Sequence, residues 1–318
     1  MKIGGVENLE EWAEEAKRRI DGRPVVASIS GGKDSTAMGL LLRHAGIPFR
    51  AVHFDTGWEH PATEKYVRTV VPEAIGVEVE ILTGKYDGMI DLIRRRGLFP
   101  GARRRFCTQE LKVFPAKKLL DSYTDSEPVN AVGIRAAESK ARSKYPEWEE
   151  SSQMNCEVWR PLIRWTEQNV IDIHGHFGVP PNPLYLLGAQ RVGCWPCVYS
   201  RKSELKLIGE IDPDRVAMIR ELEAEVTEIT KEKVEARGEE FNGVPVSMFK
   251  RQVKGGGYTS FPIDRVMEWA QTSRGGRQFE LFSQDEAQAG CMRWGLCETV
   301  ADGGDMGGAN NDDQEDER

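Results

Sequence analysis

Residues 24–42 read PVVASISGGKDSTAMGLLL, and this stretch decides the fold class of the chain. Residues 24–29 predict a short buried β-strand, and the apolar run that begins at residue 35 predicts a helix. Between them lie two adjacent glycines, which let the backbone take unusual dihedral angles and approach a ligand closely. A strand that leads through such a loop into a helix presents backbone N–H groups to an anion. The sequence therefore predicts a phosphate-binding loop at residues 30–35.

The side chains of this loop suit the same ligand. Ser30 and Ser35 carry hydroxyl donors, and Lys33 adds a positive charge. The spacing of a Walker A loop is absent, and so is the Gly-x-Gly-x-x-Gly pattern of dinucleotide sites. A pair of glycines alone would also fit an ordinary tight turn, so the prediction rests on the whole string SGGKDS.

Three further strands are predicted at residues 49–54, 77–82 and 129–134, with helices between them. Strands that alternate with helices at this spacing predict a parallel sheet covered by helices on both faces. Ligands of such sheets bind at the carboxyl ends of the strands. We therefore expect three segments to meet at one edge: the loop at 30–35, the turn at 55–57 and the turn at 133–135.

The chain as a whole is expected to be a doubly wound α/β protein with a smaller, mostly helical C-terminal region. We place the nucleotide-binding domain at residues 1–205, the helical region at 206–298 and a disordered acidic tail at 299–318. Of the net charge of -8, much lies in that tail, which has seven acidic residues from position 301 onward against Arg318. No run of residues is apolar and long enough to span a membrane, and no signal peptide is evident, so a cytoplasmic protein is expected.

Several segments resemble a known family when they are taken in order. The string SGGKDS resembles the PP-loop of the N-type ATP pyrophosphatases, which have the adenine nucleotide alpha-hydrolase-like fold. The later segments resemble those of the phosphoadenylylsulfate reductases: HFDTGWE (53–59), RFCTQELK (105–112), VGIRAAES (132–139) with Arg142, WRPL (159–162), NPLY (182–185) and RVGCWPC (191–197). The resemblance covers residues 24–205.

The resemblance implies an adenine nucleotide as the ligand, with ATP and Mg²⁺ as the expected cofactors. It implies catalytic roles for Lys33, Asp34 and Arg135. The wider nucleotide-binding set that it implies consists of Ser28, Ser30, Gly31, Gly32, Lys33, Asp34, Ser35, Phe54, Asp55, Thr56, Gly133, Ile134, Arg135, Glu138 and Arg142.

The cysteines predict a metal or cluster site. Cys194 and Cys197 form a Cys-x-x-Cys pair, whose spacing lets two thiolates reach one metal or cluster. In the reductases that this chain resembles, a [4Fe–4S] cluster is held by a Cys-Cys pair and a Cys-x-x-Cys pair, but here Cys107 stands alone at the first position. A fourth ligand is then expected from Cys297 or Cys291. Structural zinc is the alternative to the cluster, a redox-active pair is the third reading, and Cys156 is expected to be a buried core thiol.

A basic stretch at residues 94–118 has nine arginines and lysines against Glu110 alone. Arginine suits bidentate contacts with phosphate or sulfate, so this stretch could hold pyrophosphate, a phosphosulfate or a nucleic-acid backbone. The aromatic residues within it are sparse, which does not favour a stacking platform for single strands.

Three functions remain open on these grounds. The first is an enzyme that forms an adenylated intermediate from ATP, releases pyrophosphate and, with the cluster, transfers sulfur to a nucleic acid or a small molecule, with a nucleic acid or a sulfur carrier as partner. The second is a reductase that releases sulfite from phosphoadenylylsulfate or adenylylsulfate. That reading lacks the C-terminal Glu-Cys-Gly-Leu-His segment that carries the catalytic cysteine of those enzymes. The third is a non-catalytic nucleotide-sensing module of a larger complex.

Overall fold

The structure is a computed structural model, and it describes residues 2–253 and 256–272 together with Trp294. The expected ligands Cys291 and Cys297 and the expected tail at 299–318 lie outside the described residues. Within the described part of the chain, no helix is both long enough and apolar enough to cross a membrane.

A six-stranded sheet forms the centre of the protein, in the order β3-β2-β1-β4-β6-β5. All neighbouring strands are parallel except the edge pair β5 and β6, which is antiparallel. The strands are β1 (Val25–Ser28), β2 (Arg50–Phe54), β3 (Val79–Leu82), β4 (Val129–Val132), β5 (Trp148–Ser151) and β6 (Cys156–Trp159). The doubly wound α/β fold that the sequence predicts is confirmed.

The strand order locates the ligand crevice. From β1 the chain continues to β2 and β3 on one side, while β4 returns to the other side of β1. The loops that leave β1 and β4 therefore diverge, and a crevice opens between them at the carboxyl ends of these strands. Residues 30–35 follow β1 and residues 133–135 follow β4, so both predicted segments line this crevice.

The helices of the first 200 residues cover the sheet. They are α1 (Leu9–Ile20), α2 (Lys33–His44), α3 (Pro61–Ile75), α4 (Gly88–Arg96), α5 (Phe106–Thr108), α6 (Phe114–Leu120), α7 (Glu167–His176) and α8 (Pro183–Leu186), with a π-helical turn at Gln109–Val113 between α5 and α6. Helix α2 has nine buried residues, including Lys33, Ser35 and Thr36 of its first turn. Because α2 is enclosed on nearly all sides, its N-terminus and the loop before it are held rigidly.

Three more helices and a hairpin complete the described chain. They are α9 (Lys202–Ile211), α10 (Pro213–Glu235), the antiparallel pair β7 (Phe249–Gln252) and β8 (Tyr258–Phe261), and α11 (Ile263–Ala270). Neither this hairpin nor strands β5 and β6 were expected from the sequence. Strands β5, β7 and β8 read WEES, FKRQ and YTSF and contain too few apolar residues to form an apolar run, and Glu157 interrupts β6.

The hydrophobic core is divided into two large clusters. The first packs α1, α2 and α3 against β1, β2 and β4. The second joins residues from both sides of position 205, among them Trp58, Leu92 and Leu111 from the nucleotide-binding part and Ile219 and Ile263 from α10 and α11. The domain boundary at residue 205 stays a prediction from the sequence. The second core contains residues from both sides of that position.

Candidate nucleotide site and cysteine cavity

The loop at residues 30–35 is braced by its own serines. Ser35 Oγ accepts from the backbone N–H of Ser30 at 3.0 Å, donates to the carbonyl oxygen of Gly32 at 3.0 Å and lies 3.0 Å from Ser30 Oγ. Gly31 has a φ of +74°, in the left-handed region, and a Cβ placed there would come within 2.7 Å of Val67. Both the dihedral angle and the lack of space require glycine at this position.

The loop leaves backbone donors available for a ligand. Among the described residues, no group accepts a hydrogen bond from the backbone N–H of Gly31, Asp34 or Ser35. The last two belong to the first turn of α2, where the helix dipole adds partial positive charge. Backbone N–H groups at a helix N-terminus that have no acceptor among the described residues are the kind of donors that bind phosphoryl oxygens.

Lys33 is buried and already has partners within the protein. Its side chain is 7% exposed, and its Nζ lies 3.3 Å from both the carbonyl oxygen of Gln190 and Oε1 of Glu167. The ammonium also lies 4.9 Å from the ring centre of Tyr185. The role of Lys33 in catalysis stays a prediction, and a ligand that recruits its charge would compete with Glu167.

The β4 side of the crevice is tied directly to the loop. Arg135 Nε donates to Asp34 Oδ1, and both side chains are largely buried. A Cβ on Gly133 would come within 2.8 Å of the Asp34 carbonyl oxygen, so glycine allows the two segments to touch. Glu138 accepts from the backbone N–H of Arg135 at 2.7 Å and pairs with Arg142 at 2.5 Å. This brings together the predicted residues that follow β4, with Ile134 lying between Gly133 and Arg135.

The β2 side of the crevice is organised by Glu59. This carboxylate is 3% exposed, and its Oε2 accepts from Thr56 Oγ1 at 2.6 Å and from the backbone N–H groups of Thr56 and Trp58. Asp55 accepts from the backbone N–H of Gly57 at 2.9 Å and pairs with Arg68 at 3.4 Å. Phe54 is the last residue of β2, and Ser28 is the last residue of β1. Both therefore lie at the same edge of the sheet as the loop at residues 30–35.

The segments at this edge of the sheet match those of a known protein family. The family model of the phosphoadenosine phosphosulfate reductase domain matches residues 24–200, which include all three segments that line the crevice. The chain belongs to the phosphoadenosine phosphosulfate reductase family. The resemblance inferred from the sequence segments is therefore confirmed.

Relatives of this family member include viral and bacterial proteins. An uncharacterised 37.8 kDa protein of Escherichia phage 186 is 29% identical over 86% of this chain and 96% of its own length. The adenosine 5'-phosphosulfate reductase of Allochromatium vinosum is 28% identical over 54% of this chain and 67% of its own length.

Solved structures that are similar to this chain include a reductase and a thiolase. A phosphoadenylyl-sulfate reductase from Candida auris has a TM-score of 0.46 and 20% identity over 57% of this chain and 87% of that one. The U34-tRNA thiolase NcsA from Methanococcus maripaludis with its [4Fe–4S] cluster has a TM-score of 0.39 and 18% identity over 70% of this chain and 78% of that one. Because both TM-scores lie below 0.5, these structures carry no argument about the fold. The fold is established by the strand order and by the family match.

Three of the cysteines that were predicted as metal ligands line one cavity of this protein. Cys107, Cys194 and Cys197 line it together with apolar side chains that include Trp58, Met89, Ile93 and Met248. The segment that carries the Cys-x-x-Cys pair is held in place by an isolated bridge between Glu59 and Cys194 and by a 2.9 Å bond from Trp58 Nε1 to the Pro196 carbonyl oxygen. Trp58 lines the cavity, and Thr56 follows β2 at the edge of the sheet where the crevice opens. The two residues are at most about 7 Å apart along the chain, so the cavity lies next to the crevice.

As the residues are placed, the described chain does not contain a group of three or more cysteine, histidine, aspartate or glutamate side chains close enough to hold a metal ion. The donors are nevertheless suited to a thiolate-bound group, because three thiols share one mostly apolar cavity and thiolates are the ligands that iron–sulfur clusters and zinc prefer. Metal binding here stays a proposal. Cys156 does not belong to this cavity, and it is buried in β6 as expected for a core thiol.

Burial and charge act in opposite directions on the thiols of the cavity. Burial raises the pKa of the Cys194 thiol to about 11, while the ammonium of Lys112 acts in the opposite direction. The nearby Cys194 and then Glu59, whose Oε1 lies 3.9 Å from Lys112 Nζ, raise the pKa of Lys112. Lys112 therefore stays protonated and partly offsets the negative charge that thiolates would bring into the cavity.

Sequence reasoning did not assign site roles to several residues that hold the loop. Asn182 is buried, and its Nδ2 donates to the Gly31 carbonyl oxygen at 3.1 Å and to Thr63 Oγ1 at 3.2 Å. The hydroxyl of Tyr185 accepts from the backbone N–H of Lys33 at 3.1 Å. Both lie in the NPLY segment, so its match to the family was the available signal; Glu59 and Lys112 lay in matched segments as well.

Proposed function

We propose that this protein binds ATP, adenylates an acceptor with release of pyrophosphate, and so activates the acceptor for sulfur transfer. The observation that carries this proposal is the set of three backbone N–H groups, at Gly31, Asp34 and Ser35, that have no acceptor among the described residues. A site with this many donors suits several phosphoryl oxygens at once. The β- and γ-phosphates of ATP supply these oxygens. A sulfonucleotide carries only one sulfate group beyond its α-phosphate.

The reaction is a displacement at the α-phosphorus. An oxygen of the acceptor attacks, the bond to the bridging oxygen of the β-phosphate breaks, and pyrophosphate leaves with the electron pair. A hydrosulfide then attacks the adenylated carbon, and AMP leaves. The residues of this chain would act by holding the leaving pyrophosphate, with Arg135 supplying positive charge and Asp34 orienting Arg135.

Cys107, Cys194 and Cys197 would hold a [4Fe–4S] cluster beside the nucleotide edge. Such a cluster, when bound, supplies a site at which the sulfur donor can be held. Support for this part of the proposal comes from the shared cavity, its apolar wall and the positive charge of Lys112. Zinc at the same cysteines is the alternative.

Sulfonucleotide reduction is the second candidate, and the match to the phosphoadenosine phosphosulfate reductase domain favours it. In that case the crevice would hold phosphoadenylylsulfate or adenylylsulfate, and the protein would release sulfite. A reductase of this kind needs a thiol near the sulfate, and Cys107, Cys194 and Cys197 are the described thiols of the adjoining cavity.

One set of measurements separates these candidates. The protein is purified without oxygen, and its iron and zinc contents and visible spectrum are recorded. Exchange of labelled pyrophosphate into ATP is assayed with cellular RNA or DNA added as the acceptor, in parallel with sulfite release from both sulfonucleotides. We expect iron, exchange and no sulfite, and we expect Arg135→Gln to reduce exchange on the order of a hundredfold, the scale for loss of one transition-state donor.

The other outcomes are equally definite. Sulfite release without exchange would establish the reductase and overturn the adenylation proposal. Nucleotide binding with neither activity would favour the non-catalytic sensing module. A colourless protein that contains zinc would exclude the cluster and leave the adenylation proposal to the exchange assay.

A further inference from the structure

An exposed surface beside the cysteine cavity combines arginines with tyrosines from three distant segments. We call Arg103, Arg104, Arg105, Tyr199 and Tyr258 the arginine–tyrosine surface. The arginines lie in and after a tight turn in which Gly101 and Arg104 exchange backbone hydrogen bonds of 3.2 and 2.9 Å. The tyrosines come from the loop after Cys197 and from β8.

Each tyrosine is packed by an arginine. The Arg103 guanidinium carbon lies 5.1 Å from the ring centre of Tyr258, and that of Arg105 lies 5.4 Å from the ring centre of Tyr199. The Tyr199 hydroxyl also donates to the carbonyl oxygen of Ala102 at 2.9 Å, which fixes the ring beside the turn. The rings nevertheless stay open to solvent, with 53% of Tyr258 and 43% of Tyr199 exposed.

The positive charge of this surface is not neutralised within the described chain. Elsewhere in the basic stretch most charges are paired: Arg94 with Glu225 at 2.7 Å, Arg95 with Asp91 at 2.8 Å, Lys117 with Asp121 at 3.0 Å, Lys112 with Glu59 at 3.9 Å, and Arg96 with Glu110. Among the described residues, by contrast, no carboxylate lies within 4.0 Å of Arg103, Arg104 or Arg105. These three adjacent arginines are therefore the main group of unpaired cations in the stretch, and Lys118 is a further cation without a carboxylate partner among the described residues.

One further cation extends the surface along the hairpin. Lys250 on β7 pairs with Ser260 on β8, and Gln252 pairs with Tyr258, so Lys250 and Tyr258 lie on the same face of the hairpin. Lys250 is exposed, and it has no carboxylate partner in the part of the chain that the structure describes.

We propose that the arginine–tyrosine surface binds a single-stranded nucleic acid. Exposed aromatic rings stack with bases of any sequence, and arginines beside them contact the phosphates; this combination is the usual means of holding single strands. Duplexes bury their bases and could use only the charges. An acidic peptide would also use the charges, but it gives no reason for two exposed rings.

The surface lies beside the cysteine cavity of the proposed function. That the bound strand is the sulfur acceptor rests on that proposed function. Arg105 precedes Cys107 by two residues, Tyr199 follows Cys197 by two, and Pro100 lines the cysteine cavity. A strand bound here would lie at the mouth of the cavity. The acceptor of sulfur would then be a base of that strand.

Binding is tested with the full-length protein and fluorescein-labelled 12-nucleotide U₁₂ RNA and dT₁₂ DNA by anisotropy, without ATP. Both arms test the single-strand proposal, and their comparison distinguishes RNA from DNA. We expect single strands to bind more tightly than a duplex of equal length, with affinity falling as salt rises. Tyr258→Ala is expected to weaken binding on the order of tenfold, and Tyr258→Phe to restore it, because stacking requires the ring and not the hydroxyl.

Arg104→Gln and Arg94→Gln form a matched pair of variants, because both lie in the basic stretch but, among the described residues, only Arg94 has a carboxylate partner. We expect Arg104→Gln to weaken binding severalfold and to reduce the salt dependence, and Arg94→Gln to have little effect. Equal effects of the two variants would overturn the proposal. So would equal affinity of wild type and Tyr258→Ala, or tighter binding of an acidic peptide with the sequence of residues 301–318 than of either oligonucleotide.

The outcome is independent of the adenylation assay. Oligonucleotide binding without pyrophosphate exchange would support this surface and overturn the proposed function. Exchange without binding would do the reverse.

Discussion

At the residue scale, the site depends on a few positions where size or charge permits no substitute. Gly31 is confined by its dihedral angle and by Val67, Gly133 by the backbone of Asp34, and Arg135 by a buried carboxylate. Such constraints are detectable in the sequence only as glycines and charges in a string. Their reasons lie in the neighbours that the fold supplies.

Gly31→Ala is expected to destabilise the protein and to abolish nucleotide binding. Gly22→Ala is the matched control, since Gly22 has a φ of +72° but no atom within 4 Å of a Cβ placed there. Both variants bear the cost of a left-handed alanine, about 1 kcal/mol. Only Gly31→Ala adds a clash and displaces the free N–H groups.

The free energy of unfolding and the affinity for ATP check this prediction. Gly22→Ala should bind ATP as the wild type does. If the two variants lost ATP affinity to the same extent, the assigned role of the loop would be wrong.

His174 is expected to make stability depend on pH on the acid side. Burial in α7 lowers its pKa to about 4, its Nδ1 lies 2.8 Å from the Val170 carbonyl oxygen, and its Nε2 has no partner among the described residues. The ordinary pKa of histidine is about 6.5, so the unfolded chain binds more protons than the folded one between pH 6.5 and 4. Stability is therefore complete above pH 6.5 and falls as the pH drops to 4, by about 3 kcal/mol in all.

Chemical unfolding of the wild type and of His174→Leu at several pH values between 7.5 and 4.5 tests this. The variant should lose the part of the pH dependence that comes from His174. An identical slope in the two proteins would contradict the prediction.

At the scale of elements, a buried carboxylate of α10 helps to hold both the β7–β8 hairpin and helix α11. Glu223 accepts from the backbone N–H groups of Met248 and Ile263, both at 2.9 Å. Burial raises the pKa of this carboxyl group, and the two hydrogen bonds oppose that shift. The hairpin that carries Tyr258 is thus positioned from α10.

Glu223→Ala is expected to lower the free energy of unfolding by about 2–4 kcal/mol, because two buried backbone donors lose their acceptor. Glu223→Gln keeps one acceptor oxygen and should lose less. Glu221→Ala, on the exposed side of the same helix, should change stability by less than about 0.5 kcal/mol. Equal values for Glu221→Ala and Glu223→Ala, measured by urea unfolding, would show that this attachment contributes nothing.

At the scale of the whole molecule, the second hydrophobic cluster makes the two predicted regions interdependent. Trp58, Leu92 and Leu111 pack in one core with Ile219 and Ile263. The same core lies behind the cysteine cavity, because Trp58 and Met248 belong to both. The cavity is therefore supported by residues from both sides of position 205.

A fragment of residues 1–205 is accordingly expected to aggregate or to bind hydrophobic dyes, since it exposes one face of a large apolar core. A fragment of residues 1–272 should remain monodisperse and unfold in a cooperative transition. Size-exclusion chromatography and circular dichroism compare the two. A monodisperse, cooperatively unfolding 1–205 fragment would show that the first region is an independent domain.

The sequence by itself determined the α/β class, the strand–loop–helix unit at residues 30–35 and the segments that follow β2 and β4. These are local signals, since apolar runs of strand and helix length and glycines at a strand end act within a few residues. It also identified the family, because six short segments occur in a fixed order. Strand order, the partners of Lys33 and Arg135, and the meeting of Cys107 with Cys194 and Cys197 were decided only by the tertiary structure.

The arginine–tyrosine surface shows the same division most clearly. The arginines were visible in the sequence, but their stretch contains few aromatic residues, and stacking was not expected there. Tyr199 and Tyr258 reach Arg105 and Arg103 from about 95 and 155 residues away, because the second core folds α10 and the hairpin back toward the cysteine loop. Long-range packing of this kind has no local pattern, so only the folded chain could reveal it.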